Sequence, residues 1–206
     1  MFTFVIADIH GRADLLEIAL SKIYNYASEG TIITLGDYID RGPNSKEVVN
    51  ILMNKVKPEY KLINLSGNHE DFLINRADNR MLGSWLVNGG FQTLESYNHE
   101  IPKEHDEWYQ NLKIYYEDEH RFYVHAWIKE GVKAEKQYKH DLLWGRFNDK
   151  DDYSYLGKHI VHGHTPHKEP ELLQNRTNLD TGAYSTGKLV VAVFIDEIPG
   201  GPDKIL

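Results

Sequence analysis

The chain has 206 residues, 41% of them hydrophobic and 12% aromatic, enough for a single domain spanning residues 1–206 with its own core and too apolar for a disordered segment. Its formal net charge of -8 disfavours nucleic-acid backbones and anionic membranes as partners, so a phosphate ligand would need metal ions or clustered arginines to reverse the field locally. The absence of cysteine excludes disulfides, thiolate metal sites and a cysteine nucleophile, and it suits the cytoplasm.

No basic n-region precedes the first apolar run, so no signal peptide is expected, and the longest apolar run, residues 189–195, is too short to span a bilayer. Residues 2–7 have the near-continuous apolar pattern of a strand covered on both faces, and they run into Asp8-Ile9-His10-Gly11-Arg12. Leu15, Leu16, Ala19, Leu20 and Ile23 then recur at helical spacing over residues 13–28, with Gly30 as the expected stop. Residues 31–35 repeat the buried-strand pattern and deliver Gly36-Asp37-Tyr38-Ile39-Asp40-Arg41-Gly42. A capped helix carrying Val48, Val49, Ile51, Leu52 and Val56 follows, ended by Pro58. Residues 60–65 are a third strand, after which comes Ser66-Gly67-Asn68-His69-Glu70. Three strands thus bring polar clusters to one end of one sheet, the carboxyl edge where open α/β sheets bind ligands.

Residues 71–112 read as helical, interrupted at Trp85-Leu86-Val87-Asn88-Gly89-Gly90, with Pro102 in a first helical turn and His99 and His105 in solvent. Strands at 113–117 and 121–127 follow, the second delivering His125-Ala126-Trp127. Residues 129–140 read as a solvated face, Trp144-Gly145-Arg146 sets an arginine beside a tryptophan, and residues 148–155 read as an exposed acidic stretch. Residues 159–161 lead into His162-Gly163-His164-Thr165-Pro166. Short strands joined by turns at Gly182 and Gly187 fill the rest, and the tail at 199–202 reads as loose. His120, His140, His159 and His167 are assigned to structure or solvent.

The strand ends collect Asp8, His10, Asp37, Asp40, Arg41, Asn68, His69, His125, His162 and His164, an oxygen-and-imidazole set without sulfur that suits manganese, iron, zinc or magnesium. Two such cations about 3.5–4 Å apart, sharing a carboxylate and a water, are a known means of cleaving phosphate esters.

In their order along the chain, Asp8-Ile9-His10-Gly11, Gly36 to Gly42, Gly67-Asn68-His69-Glu70, His125 and His162-Gly163-His164 resemble the motifs of the phosphoprotein phosphatase family of calcineurin-like metallophosphoesterases. Trp85 to Gly90, Leu143-Trp144-Gly145-Arg146, His164-Thr165-Pro166 and Leu179-Asp180-Thr181-Gly182-Ala183 look like its short phage and bacterial branch, typified by the lambda phage protein phosphatase. That branch is also similar to symmetrical diadenosine tetraphosphate hydrolases. The sequence departs from the family at Ala7, where glycine is usual, and at Ala126-Trp127, where eukaryotic members carry glycines.

The resemblance implies an α/β fold, an α/β/β/α sandwich of two mixed β-sheets flanked by helices with a dinuclear metal site at strand ends. It implies two divalent metal ions, Mn2+ first among candidates that include Fe, Zn and Mg. Asp8, His10 and Asp37 would hold one, and Asp37, bridging, with Asn68, His125 and His164 would hold the other. His69 would protonate the leaving group, oriented by Asp40; Arg41, Arg146 and Asn68 would bind the phosphate; His162 would support the ligands without being one. The implied activity is hydrolysis of phosphomonoesters, on phosphorylated proteins, peptides or small phosphoesters. The alternative is symmetrical cleavage of diadenosine tetraphosphate, with Trp127 or Trp144 stacking a base. A catalytically silent scaffold for phosphorylated partners is a third reading.

Overall fold

A computed structural model of the chain describes residues 1–148 and 153–206. The chain opens with strand β1 (Phe2–Ile6), helix α1 (Ala13–Tyr26), β2 (Gly30–Thr34), α2 (Ser45–Asn54) and β3 (Tyr60–Asn64). Four helices follow: α3 (Asn68–Ile74), α4 (Asn79–Trp85), α5 (Phe91–Ser96) and α6 (Lys103–Gln110), with a wide turn at Leu86–Gly90 between α4 and α5. Strands β4 (Tyr115–Glu117) and β5 (Arg121–Val124), helix α7 (Lys139–Trp144), β6 (His159–His162), β7 (Glu171–Leu172), β8 (Arg176–Asn178), helix α8 (Ala183–Thr186), β9 (Ala192–Ile195) and β10 (Lys204–Ile205) complete it.

The first sheet has the order β10-β9-β1-β2-β3 and the second β4-β5-β6-β8-β7. In the first, β1, β2 and β3 are parallel, with Val5 opposite Ile33 and Ile33 opposite Ile63, and β9 joins antiparallel to β1. In the second, β5, β6 and β8 are parallel and the edges β4 and β7 antiparallel. Because side chains alternate along a strand, each sheet has two apolar faces. Val5, Ile33 and Ile63 meet Tyr123, Val161 and Leu179 of the other sheet. Phe4, Ile6 and Ile32 turn outward onto α1 and α2, and Phe122, Val124 and Ile160 onto Leu142 and Tyr153. The result is the expected four-layer α/β/β/α sandwich, with the carboxyl ends of both parallel strand sets at one edge.

Several expectations are corrected. Helix α1 ends where Ala27 turns extended, and Gly30 instead opens β2, paired with Tyr60. Pro102 precedes α6 rather than lying within it. Helix α3 starts at Asn68, so the Asn68-His69 pair is its first turn and not a loop ahead of it. His105 is buried, its Nδ1 2.8 Å from the Tyr97 hydroxyl, because α6 turns that face onto Tyr97 and Tyr109. The tail is tied down: β10 pairs with β9, and buried Arg121 donates to the carbonyls of Ile195, Ile198 and Gly200. The expected acidic stretch at 148–155 falls at 149–152 outside the described residues; at its edge Tyr153 is buried. No helix among the described residues is long and apolar enough to cross a membrane.

Candidate active site

The loops leaving β1, β2, β3, β5 and β6 meet at one edge and are shaped by unusual backbone. Asp8, His10, Asp37, Asp40, Arg41 and His164 all have φ between 45° and 71°, the left-handed region that non-glycine residues rarely enter. Only two other non-glycine residues among those described share it, Asn98 and His99. The loops hold one another there: the His10 and Gly11 N–H groups donate to the Asp37 and Tyr38 carbonyls, each at 2.8 Å. Gly67 must lack a side chain, since a Cβ would lie 2.1 Å from Asp37 Oδ1.

Glu70, in the first turn of α3, locks this junction. Its carboxylate accepts from the N–H groups of Asp37, Tyr38 and Gly67 at 2.8–2.9 Å. Burial and the neighbouring Asp37 carboxylate push its pKa up to about 8 in spite of those donors. Glu70→Ala leaves three buried N–H groups without their acceptor, which costs about 3 kcal/mol or more. A thermal melt should show the midpoint lowered by roughly 6–12 °C; a shift within about 2 °C would remove Glu70 from this role.

The side chains converge on Asp37. Its Oδ2 lies 3.5 Å from His10 Nε2 and its Oδ1 3.5 Å from His125 Nε2. His10, Asp37 and His69 form one group with ligand atoms within 4.8 Å of one another, and Asp37, His125 and His164 form a second. Asn68 Oδ1 is 2.9 Å from both His125 Nε2 and His164 Nδ1. Asp8 sits beside the second group, accepting from the His164 N–H with both oxygens at 3.1 Å.

These donors fit divalent cations. The Nδ1 atoms of His10 and His125 lie 2.8 and 2.9 Å from the carbonyls of Ile39 and Leu35, which accept only a proton donor, so each Nε2 carries its lone pair toward Asp37. Burial pulls the pKa of His10 and of His164 down to about 3 and lowers that of His125, so protonated rings do not supply the missing charge. Lone pairs therefore face carboxylate oxygens, with Arg41 Nη1, 2.8 Å from His10 Nε2, as the basic group reaching in. Burial also pushes Asp8 well above the usual carboxylate range, assisted by the Asp180 and Asp37 carboxylates, and Asp180 up to about 6. The cluster is rich in donor atoms and poor in positive charge, the condition that bound cations relieve.

His69, a member of the first group, is tied through its other nitrogen to a second carboxylate, that of Asp40. Asp40 Oδ2 is 2.6 Å from His69 Nδ1, and Asp40 also accepts from the Trp85 indole N–H at 2.9 and 3.0 Å and from the Thr93 hydroxyl at 2.6 Å. Burial opposes protonation of His69, but Asp37 and the Asp40 hydrogen bond outweigh it and raise its pKa. Its Nε2, 3.9 Å from Asp37 Oδ2, faces the cluster and can carry a proton to it.

Of the residues expected from sequence, Asp8, His10, Asp37, Asp40, Arg41, Asn68, His69, His125 and His164 gather here. Arg146 lies exposed at the rim, donating to Thr165 Oγ1 at 3.0 Å. His162 is in neither ligand group: its nitrogens are taken by the Gly163 carbonyl and by Arg176. The two tryptophans weighed as base-stacking residues are both half-buried. Trp127 donates to the Tyr153 hydroxyl and lies under Gly145, while Trp144 meets Phe72 edge-on. Sequence reading missed Trp85 and Thr93 as partners of Asp40; their 45- and 53-residue separations from it left no local signal. It also assigned no role to Asp180, which the strand-end rule could have found.

A family model described as calcineurin-like phosphoesterase matches residues 3–194. The chain is 27% identical to a protein of Oceanobacillus iheyensis named bis(5'-nucleosyl)-tetraphosphatase PrpE [asymmetrical], over 92% of this chain and 87% of that one. That name specifies asymmetrical cleavage, whereas the leading expectation from sequence was phosphomonoester hydrolysis and the alternative was symmetrical cleavage of the dinucleotide. A solved structure described as a proposed diadenosine tetraphosphatase superposes with TM-score 0.74 at 18% identity, covering 98% of this chain and 95% of the other. A cold-active protein-tyrosine phosphatase of a psychrophile Shewanella species superposes with TM-score 0.71 at 16% identity, over 93% of this chain and 74% of that one.

Proposed function

The chain belongs to the calcineurin-like phosphoesterase family, whose chemistry is hydrolysis at phosphorus, and from that premise we propose that its substrates are dinucleoside polyphosphates, cleaved at a phosphoanhydride bond with the help of divalent metal ions. The observation that carries the chemistry is the His69–Asp40 pair, 2.6 Å apart, facing the donor cluster around Asp37. The relative named for asymmetrical cleavage, matched over most of both chains, supports the substrate class.

In this reading Asp8, His10 and Asp37 would hold one cation and Asp37, Asn68, His125 and His164 would hold the other. When bound, the cations supply Lewis acidity toward phosphoryl oxygens and make a water acidic enough to attack near neutral pH. The protein's own groups do the rest. Arg41 and, from the rim, Arg146 bind phosphoryl oxygens, a planar guanidinium matching two at once. The oxygen of a water that has given one proton to solvent forms a bond to phosphorus as the anhydride oxygen on the opposite side departs, giving a nucleoside triphosphate and a nucleoside monophosphate. His69 Nε2–H gives its proton to the departing oxygen, while Asp40 holds Nδ1–H and the ring orientation. Trp85 and Thr93 keep Asp40 in place.

A second reading, hydrolysis of phosphomonoesters on serine or threonine, is favoured by the same acid, because an alkoxide leaving group needs a proton more than a nucleotide does. Incubation with diadenosine tetraphosphate and, separately, a phosphoserine peptide, with manganese present, distinguishes them. ATP plus AMP is the expected product pair. Two ADP molecules would overturn the asymmetrical course, and phosphate release from the peptide with an untouched dinucleotide would transfer the assignment to the second reading.

A further inference from the structure

Beside Arg41 the surface opens into a concavity of about 670 Å³ that the proposed chemistry does not use. One wall is the turn between α4 and α5. Its inner side is committed to the site, through the bonds of Trp85 and Thr93 to Asp40 and through Gly89. With φ of 114°, Gly89 presses so close that a Cβ would lie 2.5 Å from the Arg41 nitrogen. Its outer side carries Val87, 81% exposed, and Phe91, 57% exposed, next to the exposed amides Asn88 and Gln92. The concavity is also lined by Tyr184, 41% exposed, its ring centroid 4.9 Å from the Arg41 guanidinium carbon.

Two exposed aromatic rings, a cation against one of them and amides on the wall match a flat ring tethered to phosphate. Bases stack on aromatic side chains whatever their identity, and side-chain amides can pair with base edges. A peptide flanking a phosphorylated residue has less to gain, since the wall is helical turn and offers no strand edge for its backbone. We propose that this groove is the nucleoside subsite, in which one base of a dinucleoside polyphosphate lies against Phe91 and Tyr184 while the phosphate chain passes over Arg41. The inference rests on the dinucleotide reading above and adds the residues that would recognise the nucleoside.

The test compares the full-length protein with Phe91→Ala and Phe91→Trp, measuring kcat and KM for diadenosine tetraphosphate and for p-nitrophenyl phosphate. Phe91→Ala should raise KM for the dinucleotide about 10-fold or more, with a matching fall in the ratio of its kcat/KM to that of the aryl phosphate; Phe91→Trp should restore the ratio. Because Phe91 is largely exposed, melting midpoints of the variants should match the parent. A selectivity ratio within about 2-fold of the parent overturns the subsite, as does a Phe91→Ala defect confined to a phosphoserine peptide. Equilibrium binding of AMP separates this failure from failure of the substrate reading. If the parent leaves the dinucleotide intact, that reading falls, and equal AMP affinity of parent and Phe91→Ala then overturns the groove as well.

Discussion

Asp37→Ala is expected to lower turnover by roughly three orders of magnitude, about 4 kcal/mol of transition-state stabilisation, and to reduce the metal retained after gel filtration from two ions per chain to one or none. The magnitude follows from position. Asp37 is the one residue common to both ligand groups, with one oxygen toward His10 and the other toward His125. Loss of either outer ligand disturbs one group; loss of Asp37 disturbs both and leaves buried imidazoles facing each other. Substitution of His10 by alanine should therefore be milder in metal content, with one ion retained. Metal analysis of the two purified variants tests the difference, and two ions still bound to Asp37→Ala would overturn the assignment of Asp37 as the bridging residue.

His69→Gln should lower kcat by roughly 10²–10⁴-fold on substrates with poor leaving groups, such as alkyl phosphomonoesters. On p-nitrophenyl phosphate, whose leaving group departs without a proton, the loss should be much smaller, and metal content should stay at the parent level. That contrast isolates proton donation from ligation, which matters because His69 also falls within the 4.8 Å group of His10 and Asp37. Asp40→Asn should show the same leaving-group pattern, since its effect passes through the orientation of His69. Equal losses on both substrate types would mean that His69 acts mainly as a ligand.

The donor residues were legible in the sequence because they follow buried strands, and a run such as residues 2–7 or 31–35 announces both the strand and the place where it delivers its loop. The sandwich itself was less directly readable. Alternation along β1 or β5 is masked when both faces are buried, so the stacking of two sheets rested on family resemblance, and the meeting of Val5 and Ile33 with Tyr123 and Val161 was not readable at all. Contacts between distant segments escaped entirely: the Trp85 and Thr93 bonds to Asp40, the Glu70 lock and the fixing of the tail by Arg121 depend on how loops meet, which no local pattern encodes. His105 was misplaced for a related reason. Its neighbours in sequence are acidic, but those in space are Tyr97 and Tyr109.

Six residues of the site hold left-handed backbone, each at a cost of order 1–3 kcal/mol, so together they oppose folding by roughly 6–18 kcal/mol, as much as the whole margin of a typical domain. The sandwich maintains a reactive edge against that edge's own preference. Selection for heat tolerance and selection for turnover consequently pull on the same six positions in opposite directions. A lineage moving to a warmer habitat gains little by relaxing these turns without losing the enzyme, and must stiffen the helices and sheets behind them instead.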